Sequence, residues 1–193
     1  MATTLALGAL ASAAALADQR DAMVALCALI PMAARERRGI DCQTDACLWP
    51  PGEVSCEGVL TPATAGCGVW CEGGEVVTIG MLGWGLAGAI PTEVGLLTST
   101  TQFVLAGNSL TGTIPTEFGL LTSTTLLQLH QNSLTGSIPT EFGLLTSATQ
   151  LLLSLNSLTG SIPTEFGLLT SATQLWLSQN SLTGSIPTEF GLL

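Results

Sequence analysis

His130 is the only histidine of the 193 residues, so it is the first candidate for acid–base or metal chemistry. Catalysis by a histidine needs a nucleophile and an orienting acid that meet the imidazole, and the sequence supplies no Ser-His-Asp set. It also supplies no metal partner and no acidic pair facing the histidine. We therefore expect a protein that is not an enzyme, with no catalytic residue, no metal and no cofactor.

Glutamates form a second set of candidates, because five of them recur at a constant spacing of 24 residues. A calcium site needs several oxygen atoms that converge on one point. Carboxylates at a fixed repeat spacing are strung along the molecule instead, which predicts a solvated, solubilising edge. The five are Glu93, Glu117, Glu141, Glu165 and Glu189.

The 6 cysteines all precede residue 72, and they suggest disulfide chemistry. The disulfide candidates are Cys42, Cys47, Cys56, Cys67 and Cys71. Their spacings contain no C-x2-C knuckle, which disfavours zinc, whereas an even, clustered set is typical of disulfides. Cys27 lies in the predicted helical stretch 18–38 and has the alternative of a buried free thiol. The sequence does not choose among the possible pairings.

The N-terminus favours an extracellular or cell-surface location. Residues 4–17 form an apolar stretch that ends in Ala15-Leu16-Ala17, which predicts a signal peptide over 1–17. No Lys or Arg occurs in the first residues, and an alanine-rich helix that continues into 18–38 is the alternative.

Composition excludes several classes of protein. With 47% hydrophobic and 9% charged residues, the chain can bury a core and is not of the disordered type. Gly, Thr, Ser and Pro interrupt every leucine cluster, so no transmembrane segment is expected. The formal net charge is −10, there is no Lys, and the arginines (Arg20, Arg35, Arg37 and Arg38) all precede residue 40. Such a surface repels phosphate, so no nucleic-acid partner is expected.

The elements that must position any site follow from a 24-residue period. The asparagines Asn108, Asn132, Asn156 and Asn180 share this period, and so do the Ile-Pro pairs that begin with Ile90-Pro91. In each unit, leucines such as Leu127 and Leu129 alternate with polar residues, which predicts one short strand. The asparagine ends that strand, where its amide can satisfy backbone groups and form a ladder across stacked units.

The rest of the unit is predicted to return the chain around the core. Gly136 permits a tight bend and Pro139 stiffens an extended segment. Leu134 and Ile138 point inward from this return, and the far side of the core is expected to be closed by Phe142, Leu144 and Leu145. No unit can bury its own apolar face, so the units must stack.

These residues resemble the plant-type leucine-rich repeat, LxxLxxLxLxxNxLxGxIPxxLGxL. The resemblance covers 76–193, about five repeats with the last one incomplete, and it implies a right-handed α/β solenoid with short parallel strands on its concave face. Two departures matter. A leucine layer of the family is Thr100, Thr124, Ala148 and Ala172 here, so we expect a thinner core there. Trp84 replaces the first asparagine, so the ladder should start one coil late.

Residues 18–75 resemble the N-terminal cap of plant receptor-like leucine-rich repeat proteins. The resemblance rests on the helix around Asp21 to Leu26 and on the segment Cys67-Gly-Val-Trp-Cys71 before the first strand. It implies a helical disulfide cap that covers the apolar end of the first coil.

The strand residues that point away from the core define the candidate ligand-binding face. They are Gln102, Leu126, Gln150 and Gln174; Val104, Gln128, Leu152 and Trp176; Ala106, His130, Ser154 and Ser178; and Gly107, Gln131, Leu155 and Gln179. The units 134–157 and 158–181 differ only at Leu152/Trp176 and Leu155/Gln179, and both differences fall on this face.

This variation suggests recognition on a copied scaffold, with drift after duplication as the alternative. Trp176 is the best anchor, unless it packs against a further coil. The leading hypothesis is a secreted or cell-surface, receptor-like module that binds a protein, peptide or glycan. One alternative is a secreted inhibitor of a cell-wall-degrading enzyme, because polygalacturonase-inhibiting proteins resemble this repeat class.

A third hypothesis is an ice-binding solenoid, because threonines form two regular columns. These are Thr98, Thr122, Thr146 and Thr170, and Thr101, Thr125, Thr149 and Thr173.

Leu193 falls in mid-repeat and leaves the strand near Gln174 at an open end. We therefore expect either a fragment of a longer repeat protein or end-to-end self-association.

Overall fold

The computed structural model describes residues 19, 21–30, 68–72 and 75–193. The expected signal peptide and Cys42, Cys47, Cys56 and Cys67 lie outside these residues, as does the side chain of Cys71. The signal peptide and the disulfide framework therefore stay predictions.

The strands of the described residues are β1 (Gly68–Glu72), β2 (Glu75–Gly80), β3 (Ala87–Ala89), β4 (Gln102–Val104), β5 (Ser109–Thr111), β6 (Leu126–Gln128), β7 (Thr135–Ser137), β8 (Gln150–Leu152), β9 (Ser157–Thr159) and β10 (Gln174–Trp176). Six of them form one sheet, in the order β1-β2-β4-β6-β8-β10. β1 and β2 pair antiparallel as a hairpin, and every later pair is parallel with partners 24 residues apart, such as Leu127 and Leu151. The predicted solenoid of 24-residue coils is confirmed.

The core lies behind this sheet and is continuous from coil to coil. Leu127 and Leu129 are fully buried, as the alternation of the strand predicts. Leu134 and Ile138 of the return segment are buried as well. Each coil contributes only one layer of this core, so its apolar side chains are covered by the coils on either side.

The asparagines form the predicted ladder, and it begins at Asn108. In the coil of Asn132, Oδ1 accepts a hydrogen bond from the backbone N–H of Leu110 at 3.0 Å. Its Nδ2 donates to the carbonyls of Leu105 at 3.0 Å and Leu129 at 3.1 Å. The Leu105 carbonyl also accepts from Asn108, so consecutive asparagines share an acceptor across the coils.

A second row of parallel strands, which the sequence pattern does not predict, lies on the return segment. β3 pairs with β5 and β7 pairs with β9. The expected bend at Gly136 is present, with φ at +76°, a conformation that costs glycine nothing and strains other residues.

The convex side is made of 3₁₀ helices, one in each coil. They are Thr92–Leu96, Thr116–Leu120, Thr140–Leu144, Thr164–Leu168 and Thr188–Leu192. Phe142 and Leu145 are fully buried, as expected, but the prediction for Leu144 is wrong, because it is 53% exposed. Residues three apart share one side of a 3₁₀ helix, so Phe142 and Leu145 point inward while Leu144 points out with Glu141.

The thinner layer is also present. Thr100 and Thr124 are fully buried, and the Thr124 hydroxyl donates to the Thr100 carbonyl at 2.7 Å. A buried hydroxyl is tolerated there because its bond crosses to the preceding coil. Ala148 takes this place in the next coil and is also fully buried.

A helix over 21–28 packs on the first coil. Met23 and Leu26 are buried in the same core as Ile79 of β2. The backbone N–H of Val76 donates to Oε1 of the buried Gln19 at 2.8 Å, and that of Ala87 donates to the Leu29 carbonyl at 3.0 Å. These contacts join the chain on either side of the helix, at Gln19 and Leu29, to the first coil.

Replacing Gly143 by alanine is expected to lower the free energy of unfolding by about 1–3 kcal/mol. A Cβ at this position would lie 2.7 Å from Cβ and 2.7 Å from the backbone oxygen of Glu165, so the two coils would have to separate. Gly191→Ala is the matched control, because nothing lies within 4 Å of a Cβ there. Urea unfolding of both variants tests the prediction, and equal stabilities would contradict it.

Candidate ligand-binding face

The sheet face that points away from the core holds the residues predicted to bind a ligand. Strand register places Gln102, Leu126, Gln150 and Gln174 in one column, and Val104, Gln128, Leu152 and Trp176 in the next. The structure therefore brings these residues together in the predicted columns. A ligand contact by any of them stays a prediction.

Exposure on this face increases along the solenoid. Near its start, Val104, Ala106 and Leu126 form a small buried cluster with Leu82, separate from the main core. Leu152 and Ser154 are also buried, whereas Gln102, Gln128, His130 and Gln150 are half-buried. The exposed positions are Gly107, Gln131, Leu155, Gln174, Trp176, Ser178 and Gln179. Of the predicted positions, Trp176 thus offers the largest apolar contact to a ligand, at 51% exposed, and Trp70 of β1, which pairs with Thr78 in the same sheet, is 56% exposed.

One column holds its backbone in a strained conformation. Gln131, Leu155 and Gln179 have φ between +55° and +58°, and Gly107 heads the same column with φ at +66°. For residues other than glycine, the left-handed region costs about 1–2 kcal/mol each. A glycine among non-glycine period-mates is the sequence signal for this conformation. Such strain is concentrated in functional regions of proteins, and here it falls on a column that varies between units.

His130 lies in the middle of this face and is half-buried. Its Nδ1 is buried without a hydrogen-bond partner in the described part of the chain. Burial lowers the pKa of the imidazole below its ordinary value of 6.5. Among the described residues no three His, Cys, Asp or Glu side chains are grouped so as to hold a metal ion.

We expect the stability of the protein to fall as the pH drops below about 6.5. Because the folded-state pKa of His130 is lowered, the unfolded chain binds this proton more tightly. The contribution of His130 to stability is fully present above pH 6.5, and it is lost as the pH falls towards the lower folded-state pKa. His130→Ser, which introduces the residue of Ser154 and Ser178, should remove it. Urea unfolding at pH 8 and pH 5 measures the effect, and an identical decrease in both proteins would contradict it.

The glutamate column lies on the convex side, away from this face. Each side chain follows a threonine whose hydroxyl donates to it, as Thr140 does to Oε2 of Glu141 at 3.3 Å. The carboxylates follow one another from coil to coil, as expected of a solvated edge.

Cys27 of the N-terminal helix is fully buried and disulfide-bonded. Its partner side chain is not among those that the structure describes. The alternative of a free thiol at Cys27 is therefore wrong.

The family model for Leucine Rich Repeat matches residues 171–193. One chain in the crystal structure of the BIR3–SERK2 complex from Arabidopsis thaliana is 31% identical to this chain. The match covers 80% of this chain and 82% of that one, with a TM-score of 0.61. The Arabidopsis receptor kinase HAESA, solved with the peptide hormone IDA and the co-receptor SERK1, is 37% identical over 55% of this chain and 18% of its own, with a TM-score of 0.53.

A plant ice-binding protein is also similar, at 27% identity over 90% of this chain and 52% of its own, with a TM-score of 0.69. The chain spans between 13% and 66% of the first three receptor ectodomains that it matches. No curated protein sequence gives a significant match. In the described part of the chain, no helix is long and apolar enough to cross a membrane.

Proposed function

The chain belongs to the plant-type leucine-rich repeat proteins, and from this premise we propose that it is a receptor-like recognition module. Its ligand is a secreted peptide or protein segment that binds across the coils of the concave sheet. It acts outside the cell or at its surface. A signal peptide over 1–17 directs its export, and a disulfide-linked cap precedes the repeats. HAESA, a structure of this kind, holds a peptide hormone.

The proposal rests on the positions at which the repeat units differ from one another. Two adjacent units with the same fold differ at Leu152/Trp176 and Leu155/Gln179, and both pairs lie on the concave face. Drift alone would also alter exposed convex positions such as Thr140 and Thr164. In this pair of units the variation is confined to the concave face, as selection for different ligand contacts would produce.

The exposed part of this face determines the chemistry of the ligand. Trp176 and Leu155 offer apolar contact, and Gln174 and Gln179 offer amide donors and acceptors. No ionised side chain belongs to these columns above the pKa of His130. The ligand is therefore an uncharged or weakly charged peptide held by apolar anchors and side-chain amides, with little dependence on salt.

A display library of extended peptides, screened against the full chain, tests this proposal. Trp176→Ala combined with Gln128→Ala is expected to weaken the selected peptides at least about tenfold, because a buried aromatic anchor dominates such interfaces. Thr122→Ala, on the exposed convex side, is the control and should have no effect. Binding unchanged by the double substitution would refute concave recognition.

Ice binding is the second candidate, favoured by the similarity to a plant ice-binding protein over 90% of this chain. Thr98, Thr122, Thr146 and Thr170 form an exposed column. The second threonine column is less suited, because its hydroxyls donate to the preceding coil, as Thr125 does to the Thr101 carbonyl at 3.1 Å. Thermal hysteresis of the purified chain would support this candidate, and unaltered ice growth would exclude it.

A further inference from the structure

Five leucines form an exposed apolar line on the convex side, which we call the leucine ridge. They occupy the same position of the five 3₁₀ helices: Leu96, Leu120, Leu144, Leu168 and Leu192. Their exposed fractions are 39%, 55%, 53%, 54% and 68%. The residue that follows each of the first four, such as Leu121, is fully buried and already fills the core. The core therefore does not require a leucine at the ridge position.

The ridge has a regular spacing along the solenoid. Adjacent 3₁₀ helices are in close contact, since a Cβ on Gly119 would lie 2.7 Å from Cβ of Glu141. The coils follow the strand spacing of a sheet, about 4.8 Å. An α-helix rises about 5.4 Å per turn, so one apolar side chain per turn would fit between successive leucines. Four intervals span about 20 Å, which is the length of about 13 helical residues.

Charge indicates what kind of partner fits. Each ridge leucine lies three residues after a glutamate, and residues three apart share one side of a 3₁₀ helix. Glu117, for example, lies beside Leu120 on the surface of the same helix. The chain has no Lys or Arg after Arg38, so no cation within the repeats can neutralise this edge. A second copy would add another chain with net charge −10, and an anionic membrane would be repelled in the same way.

We propose that the leucine ridge is a docking surface for a basic amphipathic helix of a protein partner, separate from the concave face. The apolar side of that helix packs along the leucines. Its Lys and Arg side chains extend towards the glutamate column, where each can pair with a carboxylate. The repeat module would then bind two partners at once, one on each side of its coils.

Fluorescence anisotropy with the full chain tests the proposal. The probe is a labelled helical peptide of about 18 residues with leucines at i, i+3, i+4 and i+7 and lysines beside them. We expect saturable binding that weakens with added salt. The combined variant Leu120→Ser, Leu144→Ser and Leu168→Ser should bind at least about tenfold more weakly, since it removes the centre of the interface. Leu155→Gln, on the concave face, is the matched control and should bind as the unchanged chain does.

The contribution of charge and the choice of partner are tested separately. A peptide with glutamates in place of the lysines should not bind, and Glu117→Gln with Glu141→Gln and Glu165→Gln should reduce the salt dependence while leaving the apolar ridge intact. Trp176→Ala should leave binding of the helical probe unchanged, whether or not the concave face binds a ligand of its own. Equal binding of the acidic peptide or of the serine variant would overturn the proposal. So would sedimentation of the chain with vesicles of phosphatidylcholine and phosphatidylserine, or a dimer that dissociates in the serine variant.

Discussion

Phe118→Ala is expected to lower the free energy of unfolding by about 4 kcal/mol, more than any other single substitution proposed. The ring is fully buried and contacts two others edge to face, Phe103 at 5.2 Å and Phe142 at 6.1 Å between ring centroids. Alanine would leave a cavity between two coils, and it would remove both aromatic contacts at once. Urea unfolding followed by circular dichroism gives the difference directly.

Phe190→Ala is the control for this prediction. Phe190 occupies the same position of the last 3₁₀ helix, but it is only half-buried and pairs with Phe166 alone, at 6.4 Å. We expect a loss below about 2 kcal/mol there, since less apolar surface leaves water. If both substitutions cost the same, the two rings would contribute equally and the dependence on stacked coils would be wrong.

Asn132→Ala is expected to lower the free energy of unfolding by about 3 kcal/mol. The substitution deprives the N–H of Leu110 of its acceptor, and it removes a donor to the carbonyls of Leu105 and Leu129. The N–H of Leu110 is left without a partner, which costs about 1–3 kcal/mol, and the carbonyls of Leu105 and Leu129 each lose one of their two side-chain donors. Thermal and urea unfolding of the variant measure the loss.

Two further variants identify the cause of that loss. Asn132→Asp keeps an acceptor for Leu110 but places a carboxylate oxygen against two carbonyls, so it should destabilise the protein nearly as much as alanine does. Ser133→Ala, at the exposed neighbouring position, should change the stability by less than about 0.5 kcal/mol. A tolerated aspartate would mean that the donated bonds contribute little.

The repeat period allows most of the fold to be predicted from sequence. Asn132 and Leu127 recur at 24-residue intervals, and each type has one physical role, so strand, turn and core follow from the pattern. Trp84 at the place of an asparagine correctly locates the start of the ladder. Period alone also assigns the columns of the concave face, because alternation fixes which side chains leave the core.

The errors arise where a helix type or a local environment matters. Hydrophobicity alone places Leu144 in the core, but three residues per turn in the 3₁₀ helix direct it to solvent. Leu152 is predicted to be open to a ligand and is instead buried by its neighbours on the sheet. Burial on a curved face depends on how closely adjacent coils approach, and a single sequence contains no direct measure of that distance.

The asparagine ladder has a consequence for the response of the solenoid to tension. The side-chain bonds of Asn132 either lie within its own coil or join that coil to the preceding one, and its backbone N–H reaches only the following coil, at Leu155. Under a force that separates the two ends, each interface between coils is therefore held only by its own bonds, and the weakest interface opens first. The molecule should yield by peeling, each released coil adding a contour length of about 80 Å, instead of rupturing in a single event. Such a device absorbs mechanical work gradually.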